Sequence, residues 1–179
     1  MRSTPYILGT FLICMGSVLA QSKAIPNPAI DMEGFLRISA EAAKHRESRR
    51  LTEEEFIAKS GQNGVIILDA RSTQKYDELH IKGAVNLSFP DITVASLDKM
   101  FPDKNATILI YCNNNFKNAE EPFPTKMPTA SLNLSTYISL YTYGYRNIYE
   151  LGPLLDPRTS KLEFESAVDK TALTKVTVN

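Results

Sequence analysis

Tryptophan is absent from the 179 residues, and histidine and cysteine occur twice each. His45, His80, Cys14 and Cys112 are too few and too scattered for a structural zinc site, which needs four clustered ligands. Two cysteines cannot staple a disulfide scaffold either. Charge of one sign is not in excess: 20 basic residues balance 20 acidic ones. A nucleic-acid binder carries a basic surplus, so no nucleic-acid partner is expected. No apolar run reaches the ~20 residues that a membrane-spanning helix needs, and no internal repeat marks a solenoid. What remains is 43% hydrophobic and 22% charged, an ordinary globular composition that excludes a disordered chain. The length fits one domain with extensions.

The longest apolar stretch, Tyr6 to Ala20, follows Arg2 and closes on Val18-Leu19-Ala20. Small residues at those places are what a signal peptidase reads, so residues 1–20 are expected to be a signal peptide. The mature chain would begin at Gln21 in a periplasmic or extracellular setting, without a stable membrane span. Cleavage removes Cys14 and leaves Cys112 as a lone thiol, either buried and inert or kept for its chemistry.

Residues 21–50 read as a proline-containing linker and a helical extension. Asp31 can cap a helix to about Arg49, with Met32, Phe35, Ile38 and Ala42 as its apolar stripe and a basic C-terminal end that contains His45. Leu51-Thr52 with Glu55 forms a capping box before a short helix, Glu53 to about Lys59. Val65–Leu68 and Ala106–Tyr111 are unbroken apolar runs typical of strands buried on both faces. Val85–Leu87 and Asn147–Leu151 are shorter strand candidates, and helical segments fall at Thr73–Leu79, Ile92–Met100 and Ala130–Tyr143. Alternation of this kind predicts an α/β fold: a parallel sheet of about five strands covered on both sides, with Val65–Leu68 and Thr107–Tyr111 central. The last 23 residues, 157–179, are expected to be a loosely held tail.

Cys112 follows the second buried run directly, and ligand sites of open α/β sheets form beyond the carboxyl ends of strands. Asn113, Asn114 and Asn115 tolerate left-handed backbone angles, so they permit a curled loop whose amide N–H groups form an anion nest. Lys117 adds a cation that would favour the nucleophilic thiolate. The alternative is a buried structural cysteine followed by a surface loop.

The run Val65–Arg71, then Tyr76, then His80-Ile81-Lys82-Gly83-Ala84-Val85-Asn86-Leu87 resembles the rhodanese domain. Tyr111-Cys112 stands where that family places its nucleophile, and Gly144–Leu151 resembles its last strand. The resemblance spans about Arg50 to Asp156 and assigns residues 51–156 to a three-layer α/β/α domain. It implies that Cys112 accepts a sulfane sulfur as a persulfide, drawn from a small sulfur-containing anion and passed to a small or protein thiol. Asn113, Asn114, Asn115, Phe116 and Lys117 would form the anion-binding loop. Asp69 and Arg71 would organise the site entrance or simply pair as a structural link. His80 and Gly83 would be structural, and neither metal nor cofactor is implied.

Three departures accompany the resemblance. The loop contains no glycine, and it ends in Lys117 where active members often carry arginine, whose planar fork binds anions bidentately. Residues 118–129, with Pro122, Pro124 and Pro128, separate the loop from the next helix, either displacing the helix dipole or folding over the pocket. The closing Gly152–Pro157 run also differs. A non-catalytic binding module is therefore the alternative to a sulfurtransferase. A phosphatase of related fold is disfavoured because Asn118 stands where a Cys-x5-Arg loop needs arginine.

Overall fold

The computed structural model describes residue 25 and residues 27–167. The expected signal peptide, Cys14 and residues 168–179 of the expected tail lie outside the described residues. The described residues up to Asp31 belong to a separate small unit, in which Asn27 accepts the Ile30 N–H on its carbonyl (3.1 Å) and the Ala29 N–H on its side chain (3.0 Å).

From Met32 onward the elements follow in the order α1 (Met32–Arg46), β1 (Arg50–Leu51), α2 (Glu53–Ser60), β2 (Val65–Asp69), α3 (Thr73–Glu78), β3 (His80–Ile81), β4 (Val85–Asn86), α4 (Val94–Met100), β5 (Thr107–Tyr111), α5 (Leu132–Thr142), β6 (Ile148–Leu151) and β7 (Phe164–Glu165). The first helix after the extension starts where its sequence says it should. Thr52 caps α2, its side chain accepting the Glu55 N–H while Glu55 reaches back to the Thr52 N–H.

β1, β6, β5, β2 and β4 lie side by side in one all-parallel sheet. β2 and β5 pair along their whole length, Val65 with Thr107 through Asp69 with Tyr111. Their carboxyl ends, and so Asp69 and the start of the Cys112 loop, share one sheet edge. Side chains alternate between two cores, as a strand's period of two requires. Leu68, Ile108, Ile110 and Ile148 face α1, α4 and α5, packing with Ala42, Leu97, Tyr137 and Leu140. Ile67, Leu109, Tyr111 and Leu151 face the other side, packing with Phe56, Ile81, Phe116, Phe123 and Leu162. Each buried aliphatic side chain of this kind stabilises the fold by roughly 1.5–3 kcal/mol.

Two expectations need correction. The α1 stripe does not face inward along its length: Ala42 is buried, but Met32 and Phe35 are 63% and 54% exposed. The helix is applied to α5 through its C-terminal half, where His45 Nδ1 meets the Tyr137 hydroxyl at 2.8 Å, and it ends at Arg46 rather than Arg49. Residues 157–167, read as a loose tail, are built into the domain. β7 pairs antiparallel with β3, and Leu162 is buried in the second core.

Candidate active site

Cys112 follows β5 directly and is only 1% exposed. It lines a cavity of about 460 Å³ together with Asn114, Asn115, Phe116 and Lys117 of its own loop. The first turn of α5 supplies Ser131, Asn133 and Leu134, and the segment 118–129 supplies Thr125, Lys126 and Pro128. Arg46, Arg50 and Glu150 also line it. Ser131, the N-cap residue of α5, brings its hydroxyl to 3.4 Å from the Cys112 sulfur. The 118–129 segment therefore leaves the helix N-terminus at the cavity and adds a wall to it. A helix N-terminus with unsatisfied N–H groups favours an anion or a thiolate.

The loop itself is built differently from the expected nest. Asn113–Asn115 form one right-handed 3-10 turn, and among the described non-glycine residues only Asn118 has positive φ, at 58°. Most of the loop amides are already engaged. The Cys112 N–H donates to Asn115 Oδ1 (2.9 Å), Asn115 N–H to Cys112 O (3.1 Å), Phe116 N–H to Asn113 O (3.1 Å), and Lys117 N–H to Leu155 O (2.9 Å). They cannot also cradle an anion without rearranging. Asparagine side chains do the holding instead. Asn115 Nδ2 donates to Leu151 O at 2.7 Å, fixing the loop to the end of β6. Asn114 brackets Lys126, donating to its carbonyl (2.7 Å) and accepting its N–H (3.2 Å). Asn113 turns away into a neighbouring cavity of about 350 Å³ shared with Arg71, Lys75 and Pro124. Asn118 is held outside by Asp156, at 2.9 Å.

Asp69 and Arg71 do not line the Cys112 cavity. They form a fully buried ion pair, with Arg71 Nη2 2.5 Å from Asp69 Oδ2 and Nε 3.0 Å from both carboxylate oxygens. Tyr111 donates its hydroxyl to the same carboxylate at 2.5 Å. Burial, reinforced by the Asp69 charge, pushes the Tyr111 hydroxyl well above the usual phenol range. The guanidinium reaches onward to Pro122 O and Leu79 O, each at 2.7 Å, and lies 4.3 Å over the Phe123 ring. The pair thus ties the 118–129 segment to the sheet edge. His80 stacks on Tyr76 at 3.7 Å and contacts Tyr76 O (2.6 Å) and Glu165 (3.2 Å), away from the Cys112 cavity. Gly83 occupies φ 79°, a left-handed turn that a side chain would strain.

Sequence reasoning missed Arg46, Arg50, Lys126, Ser131, Asn133 and Glu150. One signal pointed to part of this set: Glu150 lies within a strand that reads as buried, and a buried carboxylate needs cations. Its side chain is 2% exposed and holds both arginines: Arg46 through Nε (2.8 Å) and Nη2, and Arg50 through Nε (3.0 Å). Lys117 and Lys126, by contrast, have no side-chain hydrogen bond or ion pair among the described residues. The cavity therefore has four cationic side chains and a single carboxylate, in a chain whose formal net charge is zero.

Similarity to known proteins bears on the family. Solved structures similar to this chain include the BH2092 protein from Bacillus halodurans (19% identity, covering 76% of this chain and 98% of that one, TM-score 0.49). A rhodanese with anions from E. coli is similar too (20% identity, 57% and 98% covered, TM-score 0.39). So is a thiosulfate sulfurtransferase from Pseudomonas aeruginosa (15% identity, 75% and 24% covered, TM-score 0.47). No curated protein matches the sequence. The family model of the Rhodanese-like domain matches residues 52–151, which takes in β2, the Asp69–Leu87 block, the Cys112 loop and β6, and the chain belongs to that family.

Proposed function

We propose that this protein is an exported sulfurtransferase or persulfide carrier in which Cys112 is the nucleophile. The observation that carries the reading is the setting of the sulfur. It stands at the end of a central strand and lines a cation-rich cavity, with the α5 N-cap hydroxyl within 3.4 Å. The thiolate attacks the outer sulfur of an anionic donor. The donor's sulfur bond breaks with its electron pair leaving on the donor remnant, and Cys112 carries the persulfide. A thiol acceptor then takes the sulfur and Cys112 is regenerated. Ser131 can donate a hydrogen bond to the sulfur, and Lys117 and Lys126 offset the negative charge of donor and persulfide. Arg2, the apolar run and Val18-Leu19-Ala20 support export, which predicts a mature N-terminus at Gln21.

A specific observation favours a second reading, a binding module without catalysis: the thiol is 1% exposed and most of the loop amides that would hold a donor are already engaged. Intact mass after incubation with thiosulfate or with an organic persulfide separates the two. The catalytic reading expects a gain of one sulfur atom, located on Cys112 and lost in Cys112→Ser. A wild-type protein that gains no sulfur from thiosulfate or from an organic persulfide, while remaining folded, rejects it.

A further inference from the structure

The Cys112 cavity extends beyond what a small inorganic sulfur anion needs, and two of its cationic side chains are supplied from outside the family domain. Arg46 closes α1 and Arg50 opens β1, and both precede the matched residues 52–151. Glu150 fixes their position, taking Arg46 Nε and Nη2 and Arg50 Nε, while Gly152 O accepts from Arg50 Nη2 at 3.3 Å. Among the described residues, neither arginine's Nη1 has a hydrogen-bond partner. Two guanidinium groups are thus held in place by one carboxylate, which leaves one positive charge uncompensated. Lys126, on the wall contributed by the 118–129 segment, adds another. Asn133 lines the same cavity, and among the described residues its buried Oδ1 has no hydrogen-bond partner, so a bound molecule whose N–H reaches it would satisfy it. Cavities of about 300–1,000 Å³ hold drug-sized organic ligands, and this one measures about 460 Å³.

We infer that Arg46, Arg50 and Lys126 form a carboxylate-binding subsite, and that the sulfur donor is a carboxylate-bearing peptide-like persulfide rather than thiosulfate. This rests on the sulfurtransferase reading of Cys112. In the step itself, the Cys112 thiolate attacks the terminal sulfur of R–S–S⁻. The donor S–S bond breaks, R–S⁻ leaves with the electron pair and takes a proton from solvent, and Cys112–S–S⁻ remains. No oxidant or reductant is consumed. The carboxylates of R are held by the arginines while its amide N–H meets Asn133.

The test uses the full chain and two kinds of readout. In the first, S-methylglutathione, a dicarboxylate peptide that cannot transfer sulfur, is titrated by calorimetry. Binding is expected in wild type and about tenfold weaker in Arg50→Gln, with Arg50→Lys recovering part of the loss, because a charge-assisted contact disappears and returns. Arg50 is the residue to change because Arg46 would still neutralise buried Glu150. In the second, sulfur loading of Cys112 is compared between glutathione persulfide and the neutral persulfide of 2-mercaptoethanol. The preference for the peptide donor is expected to fall about tenfold in Arg50→Gln, through KM rather than kcat. Equal loading from both donors in wild type, or an unchanged preference in Arg50→Gln, overturns the subsite and leaves sulfur transfer standing. Binding of S-methylglutathione lost in Arg50→Gln, with no sulfur ever found on Cys112, has the opposite meaning: the subsite stands and the sulfurtransferase reading falls.

Discussion

Replacing Arg71 by methionine tests how the 118–129 segment is held. Methionine keeps the length and apolar stem of the side chain but removes the guanidinium. Asp69 is 0% exposed, and among the described residues it would keep only the Tyr111 hydroxyl and the backbone N–H at position 71 (2.9 Å) as partners for its charge. Removing one member of a buried ion pair costs about 3–5 kcal/mol because the other is left uncompensated. That is a large part of the roughly 5–15 kcal/mol by which a domain is stable. The lost bonds to Pro122 O and Leu79 O and the contact with Phe123 act in the same direction. Urea unfolding followed by circular dichroism reads the loss as a lower midpoint at unchanged slope. Limited proteolysis supplies a local readout, with cleavage within residues 118–129 expected to accelerate. The double variant Asp69→Leu with Arg71→Met removes both charges and is expected to recover most of the stability, since buried pairs are often replaceable by apolar groups. A loss below about 1 kcal/mol in Arg71→Met, or a double variant no better than the single, refutes the argument that an uncompensated Asp69 charge dominates.

Two further predictions follow from buried aromatic groups. Phe123→Ala removes a side chain that is 1% exposed and packs 4.3 Å from Phe116; it should cost about 3–5 kcal/mol in urea unfolding and speed iodoacetamide modification of Cys112, because the wall made by Thr125–Pro128 loses its anchor. The fold keeps Tyr111 protonated well above its ordinary range, whereas the unfolded chain releases that proton near pH 10, so its contribution is intact below about pH 10 and declines by up to ~1.4 kcal/mol per pH unit above it. Absorbance at 295 nm during alkaline titration should show Tyr111 ionising only with unfolding, a delayed step that Tyr111→Phe removes.

Much of the architecture was legible because it rests on local rules. Val65–Leu68 and Thr107–Tyr111 are β-branched runs that could only be buried strands, and they pair centrally in the sheet. The Thr52–Glu55 box starts α2 where capping chemistry requires. What escaped depends on partners distant in sequence. Phe164–Glu165 has no strand signature of its own and becomes β7 only because β3 presents a free edge and Glu165 can accept from Gly83 N–H and meet His80. The exposed Met32 and Phe35 follow helical spacing faithfully, yet periodicity does not say how far along a helix its partner extends. The loop shows the same limit at the site. Three asparagines can supply left-handed backbone, but here the side chains of Asn115 and Asn114 make long-range bonds to Leu151 O and Lys126, and a right-handed turn suffices.

Glu150 connects the fold to the chemistry. Alternation along β6 places it with Ile148 on the side of the sheet that faces α1 and α5. A carboxylate there costs several kcal/mol unless cations meet it, and β6 has only β1 as its outer neighbour. The segment that forms and precedes β1 supplies them, through Arg46 and Arg50. One arginine would have neutralised the pair. Two leave a positive surplus at the cavity that contains Cys112, so the same strand residue that fastens α1 and β1 to β6 also sets the electrostatics of the site. On this argument Glu150→Gln does not simply loosen α1: it releases both arginines from a fixed position while leaving their charge, and an anionic ligand should still be attracted but no longer oriented.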